Sequence, residues 1–357
     1  MTSRRAIKWD EALLPAAMAV AVALVVGDLL IMSFGASPKA VFGMLVEGTW
    51  GNPYGIGQTL YKTTTLICTG LAVALPLRAG LFNIGAESQL AAGGFLAAVV
   101  GLWLPFGTPW IVAAPICMVA ALVAGGAVGA VPGALKARFG SSEVIVTIML
   151  NFVVLALLNW IVANHLHIPE SLHTPEIHAG AVPRIAELST TFRGSAANVM
   201  LFVSIAVAAA AWWFLFRTRA GYELRAVGLQ PDAAENGGVK LGRTWFRALM
   251  MGGALAGLGG VNYVLGYKHY YEEGFGTGAG FLGIAVALVG RNHPIGVIFA
   301  ALLFATLSQG GLAVNAVVPK QMMDVLTAVV ILAVAVSVPE VRRVLRDMVN
   351  GRGSATA

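Results

Sequence analysis

The feature that most limits what this chain can fold into is a series of apolar runs, each about 20 residues long, which is the length of a helix that crosses a bilayer. Only 11% of the residues are charged, against about 25% in a soluble domain. A backbone in lipid must satisfy its own hydrogen bonds, which leaves helices or a closed barrel. The runs are continuous rather than alternating, so they predict an all-α polytopic membrane protein.

The runs predict about ten transmembrane helices in one transmembrane domain over residues 1–357. The first is too long for the apolar part of a signal peptide, so we expect an uncleaved span. The eighth is short and rich in glycine, and the sequence leaves open whether it crosses completely. The ten predicted crossings are 13–35, 58–78, 82–104, 110–134, 143–163, 198–216, 246–266, 279–290, 295–315 and 321–338.

Lysine and arginine are distributed unevenly between the two sides of this arrangement. If the N-terminus is cytoplasmic, 17 of the 23 lysines and arginines lie on the cytoplasmic side. Cytoplasmic loops usually carry such an excess. We therefore expect both termini in the cytoplasm. The six outside are Lys39, Lys62, Arg184, Arg193, Lys268 and Lys320.

Two loops are long. The external loop 164–197 holds four of the six histidines, namely His165, His167, His173 and His178. A polar external loop is the favoured interpretation, and metal binding is the alternative. The other long loop, 217–245, falls in the cytoplasm.

Glycines recur every four residues at 125, 129 and 133, and again at 253 and 257. Small residues at this spacing let transmembrane helices approach closely. The pattern predicts helix packing and not a binding site.

The stretch GLFNIGAESQL, residues 80–90, places Asn83, Glu87 and Gln89 between two apolar runs. A carboxylate there costs at least ~2.5 kcal/mol and generally faces a bundle interior or water. These groups either line a pathway or only repair a broken helix. A second glycine-rich break, residues 274–283, follows five crossings later. Such paired breaks are typical of transporters built from inverted halves, here after an extra N-terminal helix.

Three separated stretches resemble the permease subunits of bacterial ABC importers for nucleosides. GLFNIGAESQL resembles their G-L-F/L-N-I-G-A-E-G-Q signature, with Ser88 in place of a glycine. RAVGLQPDAAENGGV, 225–239, is similar to their cytoplasmic R-A-x-G-x-N segment, with Gln230 where asparagine is common. GIAVALVGRNHPIGVIFAALLF, 283–304, is similar to a third stretch. The superfamily also serves simple sugars and branched-chain amino acids.

The resemblance implies an assembly in the bacterial inner membrane. Its partners would be an ABC ATPase, a second related permease forming a heterodimer, and an external substrate-binding protein. The chain has no G-x-x-x-x-G-K-[ST] motif for phosphates. We therefore expect a transport subunit that is not an enzyme, has no catalytic residue, metal or cofactor, binds no nucleic acid, and leaves ATP to its partner.

The polar stretch and the resemblance together predict two sets of functional residues. Within the spans, the residues predicted to face the substrate pathway are Phe82, Asn83, Glu87, Gln89, Asn151 and Asn262. In segment 225–239, alanines that suit a short helix alternate with residues that break it, and the resemblance implies a coupling helix that contacts the ATPase. The alternative is a solvated basic loop. The coupling residues are Arg225, Ala226, Gly228, Pro231, Ala233 and Ala234.

Alternatives to a nucleoside importer remain at this point. A permease for simple sugars or branched-chain amino acids would share the fold and mechanism. A secondary transporter would use Glu87 as a proton relay and would need no ATPase. A membrane scaffold or an intramembrane enzyme ranks lowest, because the histidines lie in loops or at membrane edges.

Overall fold

The computed structural model describes residues 25–331, apart from positions 34, 170, 189, 316, 320–323, 326 and 330. The prediction of an all-α polytopic membrane protein is confirmed. Seven helices are long and apolar enough to cross a bilayer, and a bent helix pair is an eighth candidate. Over the described residues, β-structure is limited to two isolated bridges, which join His173 to Glu272 and Arg184 to Asn198.

The helices α6 and α11 are prolonged by π-helical turns over Val162–Leu166 and Val264–Lys268, and longer connections follow these two turns. In chain order the helices are α1 (Val25–Ser33), α2 (Pro38–Thr49), α3 (Pro53–Leu77), α4 (Ala86–Trp103), α5 (Trp110–Phe139), α6 (Glu143–Ile161), α7 (Ile185–Leu188), α8 (Met200–Arg217), α9 (Arg219–Leu229), α10 (Pro231–Asn236), α11 (Leu241–Tyr263), α12 (Ala279–Val289) and α13 (Pro294–Val314).

Seven of the ten predicted crossings correspond to α3, α4, α5, α6, α8, α11 and α13. The predicted first crossing is described only from residue 25, where it forms α1. The tenth, 321–338, lies largely outside the described residues. The eighth corresponds to α12, which has 11 residues. Such a helix is only about 16 Å long, roughly half the thickness of the hydrocarbon core, and cannot cross alone.

The chain divides into two compact units. One unit is residues 50–306, and the other combines the residues before 50 with those from 307 onward. In the second unit, α1 and α2 contribute to an apolar cluster that consists of Ile31, Val41, Leu45, Val314 and Val318.

Within residues 50–306, most residues of α3, α4 and α11 are buried, whereas only a minority of the residues of α6 and α8 are. The glycine pattern has the predicted effect, because α5 and α11 pack backbone to backbone. A Cβ added at Gly125 would lie 2.3 Å from the carbonyl oxygen of Gly253, and one at Gly257 would lie 2.3 Å from that of Ala121. Only glycine permits this approach, so the central helices are fixed tightly around the site.

The segment predicted as an external loop packs along the chain that follows α11. Backbone amides of Thr174, Ile177 and Val182 donate to the carbonyls of Tyr271, His269 and Leu265, each at 2.8 Å. These bonds satisfy backbone groups that no helix satisfies. The loop is therefore ordered and covers one end of the unit.

Candidate functional site

The chain is not helical between α3 and α4. Gly80 has a φ of 75°, a left-handed conformation that glycine adopts at little cost. The amide of Leu81 donates back to the carbonyl of Pro76 at 3.0 Å, and the backbone then runs without helical structure to Gly85. We call residues 78–85 the first break. Its freed backbone groups need partners inside the bundle.

Asn83 and Gln89 form a reciprocal amide pair. The Nδ2 of Asn83 donates to the Oε1 of Gln89 at 2.9 Å, and the Nε2 of Gln89 donates to the Oδ1 of Asn83 at 3.1 Å. Asn83 also binds the carbonyl of Ala72 at 3.0 Å and accepts from the amide of Gly85 at 3.1 Å. Both side chains are completely buried. The pair closes the first break onto α3 and α4.

Asn151 and Thr147, one turn apart on α6, bind the other side of the first break. The Nδ2 of Asn151 donates to the carbonyl of Ile84 at 2.9 Å, and its Oδ1 accepts from the amide of Ser88 at 3.1 Å. The hydroxyl of Thr147 accepts from the amide of Ile84 at 3.3 Å. Sequence reasoning missed Thr147, although its spacing of four from Asn151 in an apolar helix was a usable signal.

Glu87 joins the two glycine-rich breaks. Its Oε1 accepts from the amide of Gly278 at 2.6 Å, and its Oε2 accepts from the amides of Gly280 at 2.8 Å and Phe281 at 3.3 Å. These amides begin α12, where helical N–H groups lack partners and the dipole favours an anion. Only 4% of Glu87 is exposed. Its carboxylate therefore acts as the N-terminal cap of α12.

Arg78 occupies the opposite end of α12. Its Nε donates to the carbonyl of Asn292 at 2.7 Å, and its Nη2 to that of Arg291 at 3.3 Å. Both carbonyls belong to residues with positive φ, 52° for Asn292 and 54° for Arg291, just past the helix. Burial, together with the charge of Arg225, lowers the pKa of Arg78. From the sequence, Arg78 is predicted only as one of the basic residues on the cytoplasmic side.

The remaining predicted pathway residues lie apart from this arrangement. Asn262 on α11 is completely buried, and its Nδ2 donates to the carbonyl of Tyr61 at 3.0 Å and the hydroxyl of Thr65 at 2.9 Å. Its Oδ1 accepts from the Nδ2 of Asn198 at 2.9 Å. Phe82 is half-buried in the first break. The structure thus brings Asn83, Glu87, Gln89 and Asn151 together and places Asn262 in a separate polar cluster.

The segment 225–239 forms a helical corner from α9 and α10. Thr218 caps α9 through the amide of Gly221 at 3.1 Å, and Pro231 begins α10. Pro231 and Ala233 are exposed, Arg225 and Ala226 are half-buried, and Ala234 is buried. Leu229, which sequence reasoning missed, is 85% exposed at the corner. A large apolar side chain so exposed is suited to a partner surface.

The inner side of this corner touches the first break. A Cβ added at Gly228 would lie 2.1 Å from the carbonyl oxygen of Arg78 and 3.0 Å from the amide nitrogen of Gly80. The α9 backbone therefore lies directly on the backbone of the first break. Any displacement of α9 must move the first break or separate from it.

Histidines of the loop 164–197 contact aromatic rings. His173 stacks on Tyr270 with ring centres 4.3 Å apart, and His178 stacks on Phe106 at 4.0 Å. Within the described part of the chain, no three His, Cys, Asp or Glu side chains converge in a way that could hold a metal ion. The contacts favour the polar-loop interpretation.

A cavity of about 300 Å³ lies between α8, α9 and α11. It is separate from the first break and contains none of the predicted pathway residues. The residues that line it are Phe214, Ala220, Glu223, Leu224, Thr244, Arg247, Met250 and Met251.

Comparison with known proteins finds a matching family model and several related permeases. A family model described as the permease component of branched-chain amino acid transport systems matches residues 55–335. The guanosine ABC transporter permease NupP of Bacillus subtilis is 37% identical over 93% of this chain and 95% of its own length. No solved structure gives a significant match.

Two further relatives show the range of the similarity. The guanosine ABC transporter permease NupQ, also from Bacillus subtilis, is 29% identical over 70% of this chain and 79% of its own length. The glucose ABC transporter permease TsgB13 of Haloferax volcanii is 31% identical over 88% of this chain and 85% of its own length.

Proposed function

Because this chain belongs to the family of permease components of branched-chain amino acid transport systems, we propose that it is the membrane-spanning subunit of an ATP-driven ABC importer for nucleosides. The observation that carries the substrate class is the 37% identity to a guanosine permease along 93% of the chain. A permease needs an ABC ATPase and an extracytoplasmic binding protein that delivers the substrate.

The second membrane subunit of this importer is a related but different permease. Bacillus subtilis has two distinct proteins described as guanosine ABC transporter permeases, and both are similar to this chain. Two related permeases would assemble as a heterodimer around a pseudo-twofold axis. The complex lies in the bacterial cell membrane with both termini of this chain in the cytoplasm, in keeping with the excess of lysine and arginine inside.

The corner of α9 and α10 is the part that couples this subunit to its ATPase. Leu229, Pro231 and Ala233 form an exposed apolar tip beside the acidic Asp232 and Glu235, and a short helix with such a tip suits a groove on a partner. Arg225, Ala226, Gly228 and Ala234 form the inner part, which holds the tip against the bundle. ATP binding would move the tip, and the contact of Gly228 with the first break would pass that movement inward.

The first break is the hinge of alternating access. Its polar groups are paired with one another in this conformation: Asn83 with Gln89, Asn151 with the backbone at 84 and 88, and Glu87 with α12. A switch between two packings of nearly equal energy requires that such bonds exchange partners. During that exchange, Phe82, Asn83, Glu87, Gln89, Asn151 and Asn262 would face the pathway, which needs polar groups but little affinity of its own.

The test is gentle extraction from the native membrane, affinity capture of this chain and identification of what accompanies it by mass spectrometry. We expect an ATPase with a P-loop, a second permease and a binding protein. The captured complex in liposomes should take up guanosine only with ATP inside. A lone chain whose uptake collapses with the proton gradient would establish a secondary transporter instead.

The substrate class is tested in the same liposomes. The similarity to a glucose permease makes a sugar the second candidate. Excess unlabelled adenosine or guanosine should compete with labelled guanosine, and glucose or leucine should not. Uptake of glucose or leucine, with no nucleoside uptake, would retain the ABC importer and overturn the nucleoside assignment.

A further inference from the structure

Two guanidinium groups and one imidazole lie around Phe216, at the end of α8. The guanidinium carbon of Arg225 lies 5.0 Å from the centre of the Phe216 ring, and that of Arg78 lies 6.0 Å from it. The imidazole of His293 contacts the same ring with centres 5.2 Å apart. The aromatic face attracts the two guanidinium cations, but it carries no net charge to neutralise them.

No carboxylate of the described residues balances this cluster. The carboxylates of Glu143, Glu223 and Glu272 form ion pairs elsewhere, with Lys136, Arg219 and Lys268. The charges that act on the cluster are positive, because Arg225 lowers the pKa of Arg78, and Arg78 in turn lowers that of His293, each in addition to the effect of burial.

The two arginines keep donors free. Arg78 uses Nε and Nη2 for the carbonyls beyond α12, which leaves Nη1 without a hydrogen bond. Over the described part of the chain, the guanidinium of Arg225 forms neither a hydrogen bond nor an ion pair, and its Nε is buried without a partner. Half-buried guanidinium groups without an anion are costly, and planar guanidinium groups match the oxygens of a phosphate.

The position of the cluster indicates where the anion comes from. Arg78 follows the last residue of the span α3, and Phe216 is the next-to-last residue of the span α8. The cluster is thus at the depth where a bilayer places its headgroups, and basic pockets between transmembrane helices bind anionic lipid headgroups. Trp213, one turn before Phe216, is exposed, so that the adjoining face of α8 is apolar.

We propose that Arg78 and Arg225 together bind the phosphate of an anionic phospholipid at the membrane surface from which α9 and α10 project. The lipid would neutralise the cluster and fix α9 against the bundle. This inference depends on the cluster alone and not on the transported substrate.

The experiment compares the purified protein in nanodiscs of phosphatidylcholine with and without phosphatidylglycerol. The readouts are the melting temperature and the lipid retained in native mass spectrometry. We expect phosphatidylglycerol to raise the melting temperature of the wild type and to be retained selectively. Arg225→Gln should weaken that retention about tenfold, the effect of losing one charge-assisted interaction. Arg225→Lys, which keeps the charge without the planar fork, should be intermediate.

The matched control is Arg217→Gln. Arg217 also ends α8 and lies over an aromatic ring, Trp212, but is outside the cluster. It should retain phosphatidylglycerol as the wild type does. Equal losses in Arg217→Gln and Arg225→Gln would reduce the effect to general surface charge and overturn the site.

Two further outcomes would overturn the lipid assignment. If inorganic phosphate stabilises the wild type in phosphatidylcholine nanodiscs as much as phosphatidylglycerol does, the occupant is free phosphate. An unchanged lipid response in Arg225→Gln, with loss of the co-purifying ATPase, would assign the missing anion to a carboxylate of that subunit. Neither readout measures transport, so failure here leaves the proposed importer function unaffected.

Discussion

Arg78 and Glu87 bind opposite ends of the same helix. Arg78 donates to two carbonyls just past the C-terminus of α12, and Glu87 accepts from three amides at its N-terminus. Each charge has the sign that the helix dipole favours at that end. The ten residues from 78 to 87 therefore hold α12 along its length.

Under the proposed coupling, this relationship gives a movement of α9 a route to α12. Gly228 of α9 lies on the backbone of Arg78 and Gly80, and those residues begin the segment that holds α12. A displacement of α9 would thus reach α12 through the packing contact at Gly228 and then through the chain and the hydrogen bonds of residues 78–87.

Removing the charge at residue 87 should impair transport more than folding. Glu87→Gln keeps one acceptor oxygen, but the NH2 group that replaces the other oxygen is a donor and cannot accept from backbone amides. Hydrogen bonds to a charged group contribute about 1.5–3 kcal/mol, so we expect uptake to fall about tenfold with normal membrane expression. The measurement is uptake of labelled nucleoside, normalised to the amount of protein in the membrane.

Glu143→Gln is the control for that variant. Glu143 also lies in the first turn of a membrane helix, where it pairs with Lys136 at 2.9 Å. Uptake should stay close to the wild type. If Glu87→Gln transports normally, the cap has no part in the transport cycle.

The two ends of α12 should be energetically coupled. Arg78→Gln removes the cation at the C-terminal end, and the double variant Arg78→Gln, Glu87→Gln removes both. Because both residues hold one helix, the loss in the double variant should be smaller than the sum of the two single losses. A double-mutant cycle on melting temperature and uptake measures the coupling. Strictly additive losses would mean that the two ends act independently.

A side chain at residue 228 should uncouple ATP hydrolysis from transport. In Gly228→Ala the new Cβ would meet the Arg78 carbonyl at 2.1 Å, so α9 must move away from the first break. We expect ATPase activity to persist while uptake falls about tenfold or more. The ratio of nucleoside transported to ATP hydrolysed is the measurement.

Gly237→Ala provides the comparison on the same segment. A Cβ at residue 237 meets its nearest atoms at 3.3 and 3.4 Å, which needs only a small adjustment. The transport ratio should change little. A loss of coupling as large as that of Gly228→Ala would show that any added volume on this segment is harmful.

The exposed corner should be needed for the ATPase and not for stability. Leu229→Ser removes apolar surface that the isolated chain leaves 85% exposed, and surface substitutions of this kind usually change stability by less than about 0.5 kcal/mol. We expect an unchanged melting temperature and weaker co-purification of the ATPase. Tyr222→Ser, 63% exposed on the same helix, is the control that should keep the partner.

A deletion tests the coupling segment as a whole. Without residues 231–235, which form most of α10, the corner proposed to contact the ATPase is lost. Binding protein and substrate should then no longer stimulate ATP hydrolysis by the assembled complex. Normal stimulation would remove the coupling assignment from this segment.

His269 should make the protein sensitive to acid. Burial and the nearby charge of Arg184 lower its pKa, so the folded protein holds the ring neutral while the unfolded chain protonates it more readily. The stability contributed by the neutral His269 is therefore complete above the ordinary imidazole pKa of about 6.5 and is lost as the pH falls below it. Residue 269 has a left-handed backbone with a φ of 63°, which asparagine tolerates, so His269→Asn should flatten the dependence of melting temperature on pH. An unchanged acid sensitivity in His269→Asn would assign it to other groups.

Much of the fold was predictable from the sequence. The all-α class, seven crossings and the close packing of the glycine-rich helices follow from run length and glycine spacing, which act locally and repeat along the chain; that α5 pairs with α11 does not. The helical corner at 225–239 was predictable for the same reason, since alanine, glycine and proline determine short helices through backbone preferences. The sequence also identified Asn83, Glu87 and Gln89 as unusual polar groups within the bundle.

The partners of those groups were decided only by the tertiary structure. Glu87 binds amides about 190 residues away, Arg78 binds carbonyls more than 210 residues away, and Gly228 packs on a segment nearly 150 residues before it. No local preference specifies such pairs, because they depend on how central helices pack and on which backbone groups the breaks leave unsatisfied. The sequence determined where polar groups had to enter the membrane, and packing decided that they would hold the two ends of α12.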